Sequence, residues 1–339
     1  MNLFGYTLDG LRDYFSGIGE NPAKAGILFD AVYKRGVRDF AELGFSERVT
    51  SRLCGDLSLE LPKITEKLES ADAAKLLLEL SDGELIETVL MRQRFGNCVC
   101  VSTQVGCNMG CAFCQSGFMK KRRDLATEEI VGQVLAISSA FDCKIDGVSV
   151  MGIGEPFDNF QSVSDFIAII SHDKGLAVGR RHVTVSTCGI VPRIYDYADL
   201  PAPCSLAISL HAPNDALRSR LMPINKKYPI ADVLDAAEYY SNKTKHRVAL
   251  EYIMLSGVND SDEHARELAK IIAGRDFYVN LIPYNSTDSE FTKSDAARLA
   301  EFCGVLKDGG VIATKRREFG ADLKAACGQL RADRSAKSK

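Results

Sequence analysis

The sequence has 339 residues, of which 46% are hydrophobic and 26% charged, so it can build a large core and is not a disordered chain. Its net charge of −3 excludes a protein that binds nucleic acid through overall basicity. The sequence shows no signal segment and no apolar run near the roughly 20 residues that cross a bilayer, so we expect a cytoplasmic protein without membrane contact.

The first part of the chain is predicted to be helical. Leu11 and Phe15 share one helical face, and Leu28 and Val32 share another. We predict an all-helical accessory domain over residues 1–75, which either holds nucleic-acid backbone or only packs as a cap. Residues 76–97 are expected to form a linker and a β extension. Residues 331–339 are expected to form a flexible basic tail.

A repeat of strands and helices is predicted to follow, over residues 98–330. Predicted strands lie near Val99 and at residues 147–152, 182–186, 205–210, 247–255, 277–283 and 311–313. Predicted helices lie at residues 127–140, 160–171, 230–241, 262–273 and 294–307, with Thr127 and Ser294 as N-caps. A closed eightfold barrel takes about 250 residues, more than the repeat supplies, so the pattern favours an α/β fold with a partial, open parallel barrel.

Three cysteines stand directly after the first predicted strand of this repeat. Cys107, Cys111 and Cys114 form a CxxxCxxC motif. Zinc sites normally close with four ligands, and the five histidines all lie far from the motif in sequence. Three thiolates on a [4Fe–4S] cluster leave one iron open for a small molecule. The spacing therefore favours an iron–sulfur cluster, with zinc as the alternative.

Polar residues stand at the ends of several later strands. Glu155 comes after Gly152 and Gly154, while Ser186, Ser209–His211 and Asn285 stand where other strands end. Parallel strands bring their carboxyl ends to one face of a barrel, so these residues are predicted to line one site. Each residue alone is equally typical of an ordinary turn.

The motifs together resemble the radical S-adenosylmethionine (SAM) superfamily and, within it, the RlmN/Cfr family of RNA adenine methyltransferases. The resemblance runs from the N-terminal helices to about Leu330. It includes the segments around Glu87, Cys100, the CxxxCxxC motif and residues 152–156, 209–215, 221–228 and 257–260. The ending Ala325–Ala326–Cys327–Gly328–Gln329–Leu330 is its most specific element.

The resemblance implies a mechanism in which two thiols act outside the cluster. Cys327 takes a methyl group from one SAM molecule, and a second SAM molecule on the cluster yields a radical that activates this methyl group for addition to adenine. Cys100 then resolves the protein–RNA adduct by forming a disulfide with Cys327. Glu87 matches a carboxylate of the family that acts in proton transfer.

The resemblance also implies ligands and partners. The cluster is held by Cys107, Cys111 and Cys114, and SAM by Gly154, Glu155, Ser186, Ser209, Leu210, His211 and Asn285. The expected partners are 23S ribosomal RNA, tRNA and an external electron donor such as flavodoxin, with the chain acting as a monomer. Pro156 and Pro283 favour the branch that methylates adenine C2 over the branch that methylates C8. A non-catalytic iron–sulfur RNA-binding protein and a radical enzyme acting on a small molecule are the alternatives from other classes.

Two features depart from the family pattern or stand outside it. Cys98 occupies a position where the family usually lacks a thiol, and it shares a strand face with Cys100, so it competes as the resolving thiol. Basic pairs and runs lie at residues 120–123, 180–181, 226–227 and 315–317. They are either solvated faces or phosphate contacts.

Overall fold

The computed structural model of the chain describes residues 1–285, 287, 289–320, 323, 329 and 330. Cys327 and the predicted basic tail at residues 331–339 lie outside these described residues. In the described part, no helix is both long enough and apolar enough to span a membrane.

The chain begins with three short helices that pack on the outside of the rest of the molecule. They are α1 (Leu8–Gly17), α2 (Lys24–Tyr33) and α3 (Glu47–Asp56). The Thr7 side chain caps α1 by accepting a hydrogen bond from the backbone N–H of Gly10. The Phe29 ring meets the His172 ring edge-on, with centroids 5.6 Å apart, so the helices rest on the flank of the following domain.

An antiparallel ribbon follows these helices. Its strands are β1 (Lys63–Glu69), β2 (Ala73–Glu79) and β3 (Leu85–Gln93), joined in the order β1-β2-β3. The prediction that residues 1–75 are all helical is therefore wrong for β1. The reason is local, because Lys63–Glu69 alternates charged and apolar residues and its strand forms only by pairing with the apolar β2.

Nine further strands follow the ribbon: β4 (Gly96–Cys100), β5 (Gln104–Val105), β6 (Arg123–Asp124), β7 (Gly147–Val150), β8 (Val183–Thr187), β9 (Ser205–Ser209), β10 (Val248–Met254), β11 (Phe277–Pro283) and β12 (Ala313–Lys315). The ribbon continues into a curved parallel sheet through β4, which pairs antiparallel with β3 and parallel with β7. The sheet order is β1-β2-β3-β4-β7-β8-β9-β10-β11-β12, while β5 and β6 pair separately. Because β12 pairs with β11 and not with β4, the described barrel is open, which confirms the predicted fold class.

Helices cover the outer face of the parallel strands. They are α4 (Thr127–Ala140), α5 (Phe160–Ser171), α6 (Val191–Ala198), α7 (Asp215–Leu221), α8 (Ile230–Thr244), α9 (Asp262–Ile272) and α10 (Ala296–Asp308). Buried side chains from these helices and from the strands form one core. The parallel strands reach the site with their carboxyl ends, as in other barrels of this type.

The two predicted N-caps are each displaced by one residue. The N-cap of α4 is Ala126, and the Glu129 carboxylate accepts from the Ala126 N–H. The N-cap of α10 is Asp295, which accepts from the Arg298 N–H. Ser294 instead donates to Asp260 across 2.7 Å in a buried position.

Candidate functional site

A single loop between β5 and β6 carries Cys107, Cys111 and Cys114. The two strands close the loop at its ends, and the Cys107 N–H donates to the Met119 carbonyl across 3.0 Å. Gly106 has a φ of +76°, and a Cβ there would lie 2.3 Å from the Lys120 carbonyl oxygen. The turn into the cysteine loop therefore requires glycine.

The three cysteines line one cavity with most of the residues predicted to bind SAM. Its wall includes Cys107, Cys111, Cys114, Gly154, Glu155, Ser186, Ser209 and His211. The hydroxyl oxygens of Ser186 and Ser209 lie 3.5 Å apart on neighbouring strands. The convergence predicted from the strand ends is thus present in the structure.

Leu210 and Asn285 are placed differently. The Leu210 side chain lies in the main core, and its N–H and carbonyl bond to the Glu251 carbonyl and to Arg218. Asn285 lines an adjoining cavity together with Cys100 and Leu330. Of the residues predicted to bind SAM, Leu210 and Asn285 therefore do not line the cavity of the three cysteines, since Leu210 lies in the core and Asn285 lines the adjoining cavity.

Two glycines let the segment that follows β7 approach the chain around Val101 and Gln104 closely. A Cβ at Gly152 would lie 2.6 Å from the Val101 carbonyl oxygen. Gly154 has a φ of +106°, and its Cβ would lie 2.6 Å from the Gln104 side chain. The turn is fastened further by the Glu155 N–H, which donates to Gln104 Oε1 across 2.9 Å.

Glu155 is a buried carboxylate held by backbone donors. Its two oxygens accept from the N–H of Phe157 (3.0 Å) and of Cys188 (2.8 Å). Burial raises the pKa of Glu155, and the bonds from Cys188 and Phe157 oppose that shift. The carboxylate thereby fixes the loop after β8 against the loop after β7, at the wall of the cavity.

His211 is held as a neutral ring. The backbone N–H of Ile253 donates to Nδ1 across 3.1 Å, and the ring packs edge-on against Phe113, with centroids 4.8 Å apart. Burial lowers the pKa of His211 from 6.5 to about 3. Because Nδ1 accepts a hydrogen bond, the proton of the neutral ring is on Nε2, which makes Nε2 a donor.

This low pKa predicts an acid-dependent loss of stability. In the unfolded chain His211 binds a proton near pH 6.5, but in the folded chain only near pH 3, so its contribution is complete above pH 6.5 and falls as the pH drops. At pH 5.5 the loss is about 1.4 kcal/mol relative to pH 7.5. Urea unfolding of the chain and of His211→Asn at both pH values measures it. Asparagine tolerates the φ of +60° at this position, and an equal pH dependence in both proteins would contradict the assignment.

Cys100 lies beside the end of the described chain. It faces Val89 across β3 and β4, and it clusters with Val89, Met91, Ile153 and Leu330. The Leu330 carbonyl accepts a buried 2.9 Å hydrogen bond from the Ser116 hydroxyl, which lies two residues after Cys114. Leu330 is thus tied to the cysteine loop and packed in the same cluster as Cys100.

Glu87 lies on the same strand as Val89 and is almost fully buried. Lys75 Nζ lies 2.7 Å from Glu87 Oε1, and both side chains are largely removed from solvent. Since residues two apart on a strand share a face, Glu87 and Val89 lie on the side that meets Cys100. Lys75 was not predicted, because only the register between β2 and β3 brings it to Glu87.

Cys98 shares a strand face with Cys100 and packs against the same cluster, but it lines a neighbouring cavity. This cavity also includes Gln93, His182 and Tyr278, towards the amino ends of the strands. Burial raises the pKa of the Cys98 thiol to about 11. Cys100, and not Cys98, lines the cavity that Leu330 also lines.

The basic run after the cysteines is largely neutralised. Lys121 pairs with Asp124 and Asp158, Arg122 with Glu84, and Arg123 with Asp82 and Glu129, all at 2.6–2.9 Å. In the described part of the chain, Lys120 makes no such pair. Of the four residues of this run, Lys120 therefore remains the candidate for a phosphate contact.

Arg218 is a further residue that sequence reasoning missed. It is fully buried on α7 and donates to the carbonyls of Cys188 (2.7 Å), Ser209 (3.0 Å) and Leu210 (3.2 Å). These carbonyls belong to the end of β9 and to the loops after β8 and β9, which carry residues of the cavity wall. A basic residue on a short helix gave no signal of this role.

The three cysteines lie close enough to interact electrostatically with one another. Among the described residues, no three His, Cys, Asp or Glu side chains are placed to hold a single metal ion. Three thiols on one loop fit a [4Fe–4S] cluster, in which each thiolate binds a different iron.

Comparisons with known proteins agree with this site. The model of the radical SAM superfamily matches residues 101–269. The "Probable dual-specificity RNA methyltransferase RlmN" of Thermoanaerobacter sp. strain X514 is 44% identical over 97% of this chain and 97% of its own. The relative of the same name from Bacillus subtilis strain 168 is also 44% identical, over 98% and 93%.

A solved structure extends this similarity to the fold. A radical SAM methyltransferase from Sphaerobacter thermophilus superposes with a TM-score of 0.92 at 37% identity, covering 98% of this chain and all of the other. The relatives match nearly the whole chain. The chain therefore belongs to the RlmN family of radical SAM RNA methyltransferases.

Proposed function

We propose that this protein methylates C2 of an adenine in the peptidyl-transferase centre of 23S rRNA, and also an adenine beside the anticodon of tRNAs. The observation that carries the proposal is the position of Cys100. Cys100 packs with Leu330, and Leu330 is hydrogen-bonded to Ser116 of the cysteine loop, so a thiol carried three residues before Leu330 is within reach of this region. The names of the relatives support an RNA substrate.

The cavity residues fit a [4Fe–4S] cluster and SAM. Cys107, Cys111 and Cys114 supply three thiolates from one loop, and the glycines after β7 let the cavity wall pack closely against Val101 and Gln104. Glu155, Ser186, Ser209 and His211 supply acceptors and donors for its polar groups. When bound, the cluster and SAM supply a methyl group and a carbon-centred radical, with two SAM molecules used per turnover.

Cys327 is proposed to carry the methyl group. Three residues span at most about 11 Å, so the anchoring of Leu330 beside Cys100 limits how far Cys327 can lie from that thiol. In the resolving step the Cys100 thiolate attacks the Cys327 sulfur. The bond between that sulfur and the RNA methylene breaks, the methylene takes the electron pair and a proton, and a Cys100–Cys327 disulfide remains for an external thiol or dithiol to reduce.

Glu87 is proposed to move a proton at the adenine, and Lys75, whose Nζ lies 2.7 Å from Glu87 Oε1, to orient the Glu87 side chain. We expect Lys75→Met to lower the methylation rate by about tenfold or more, because the buried Glu87 carboxylate then loses this ion-pair partner. Single-turnover methylation assays measure the rate. Lys75→Arg should retain most of the wild-type rate, whereas an unchanged rate in Lys75→Met would refute this role.

Analysis of the methylated RNA shows which carbon of the adenine receives the methyl group. Purified enzyme with a reconstituted cluster is incubated with SAM, a reductant and an rRNA fragment, and the RNA is digested to nucleosides for mass spectrometry. We expect 2-methyladenosine. Recovery of 8-methyladenosine would assign the protein to the C8 branch, and no methylated adenosine with any RNA would refute the proposed function.

A further inference from the structure

Phe118 is an aromatic side chain that the structure leaves uncovered on the cysteine loop. It is 56% exposed, although Phe113 on the same loop is buried against His211. In the described part of the chain, Phe118 stacks on no other aromatic ring. Single exposed apolar residues are common on proteins, so exposure alone means little.

The loop holds Phe118 in this outward position. The N–H of Gly117 donates to the Cys114 carbonyl (2.9 Å), and the N–H of Met119 donates to the Ser116 carbonyl (3.1 Å). A Cβ on Gly117 would lie 2.6 Å from the Cys111 carbonyl oxygen, so the backbone before Phe118 is packed against the loop itself. The ring is therefore presented to solvent by a fastened turn, and the site needs no rearrangement to expose it.

The basic residue beside Phe118, Lys120, is available to a ligand, whereas the other basic residues of the run are not. Of the four basic residues at 120–123, the last three bind carboxylates of this chain. Lys120 is exposed and lies two residues from Phe118, and it makes no ion pair with a described residue. An aromatic ring next to an available cation is the pairing that proteins use to hold single-stranded nucleic acid, by stacking on a base and contacting a phosphate.

We propose that Phe118 stacks on an unpaired base of the substrate RNA and that Lys120 contacts a neighbouring phosphate. This inference rests on the function proposed above. The target adenine must leave its stack to reach a cavity lined by Cys107, Cys111 and Cys114. The RNA next to that adenine must then pass over the rim of the same loop, which is where Phe118 and Lys120 lie.

The first test compares binding of an rRNA fragment to cluster-loaded protein. We expect Phe118→Ala to raise Kd by about tenfold, Phe118→Tyr to restore wild-type affinity, and KM to rise more than kcat falls. Phe95 is the matched control, since it is 68% exposed but lies in the β3–β4 hairpin at the opposite end of the barrel. Phe95→Ala should bind as the wild type does. Lys120→Gln should lower the dependence of log Kd on log salt concentration by about one phosphate contact.

A second test uses the absence of tryptophan from the sequence. Phe118→Trp introduces a single tryptophan whose fluorescence should be quenched by RNA, whereas that of Phe95→Trp should not change. If wild-type protein binds and methylates RNA but Phe118→Ala is equally tight and Phe118→Trp is not quenched, the inference fails and the proposed function stands. If the wild-type protein neither binds nor methylates RNA, the proposed function fails first.

Discussion

Replacing Cys100 with alanine is expected to stop the enzyme at an RNA–protein adduct. Without the Cys100 thiolate, nothing attacks the Cys327 sulfur, and the bond between that sulfur and the RNA methylene persists. Cys100 is buried next to Leu330, so no solvent thiol takes over easily. We expect multiple turnover to fall by at least a hundredfold, with RNA remaining bound through denaturation.

The adduct is measured by denaturing gel electrophoresis with labelled RNA, followed by mass spectrometry of the attached peptide. Cys98→Ala is the control, because Cys98 lines the neighbouring cavity, to which Leu330 does not contribute, and the variant should turn over normally. The double variant Cys100→Ala with Cys327→Ala should form no adduct. Free RNA released at the wild-type rate by Cys100→Ala, or an adduct in Cys98→Ala instead, would overturn the assignment of the two thiols.

Replacing Arg218 with methionine is expected to produce the largest loss of stability. The guanidinium group is fully buried and satisfies the carbonyls of Cys188, Ser209 and Leu210 as well as the Asn225 side chain. Methionine is apolar and of similar length, so these acceptors lose their donors. We expect the free energy of unfolding to fall by about 3–5 kcal/mol.

The loss is measured by urea unfolding of the protein without SAM. Arg220→Met is the matched control, since Arg220 is exposed on the same helix and should change stability by less than about 0.5 kcal/mol. SAM affinity should weaken in Arg218→Met but not in Arg220→Met, because only Arg218 joins the loops after β8 and β9, which carry cavity residues. Equal unfolding free energies for the two variants would show that the four bonds do not stabilise the fold.

The repeating part of the fold was predictable because its elements have strong local patterns. The predicted bounds of α4, α5 and β11 coincide with those observed. Continuous apolar strands followed by amphipathic helices signal a parallel sheet by themselves. In contrast, β1 is rich in charge and is a strand only because β2 pairs with it, and short α6 and α7 have too few turns to show a period.

The candidate site also has a part that was predictable from local sequence and a part that was not. Cys107, Cys111 and Cys114 are close in sequence, and Glu155, Ser186 and Ser209 stand at or just after the ends of recognisable strands, so their convergence in one cavity was predictable. Lys75 and Arg218 were not, because each meets its partners through strand register or loop packing between distant segments. The link from Ser116 to Leu330 joins residues 214 positions apart, which no local pattern reports.

The open barrel leaves two unpaired sheet margins among the described strands, at β1 and β12. Such margins invite strand addition from another molecule and hence aggregation. Here β1 carries Lys63, Glu66, Lys67 and Glu69, and β12 is three residues long and ends in a lysine. The charged side chains of edge strand β1 and the short length of edge strand β12 disfavour pairing with strands of another molecule. The barrel can therefore stay open without exposing an aggregation-prone edge.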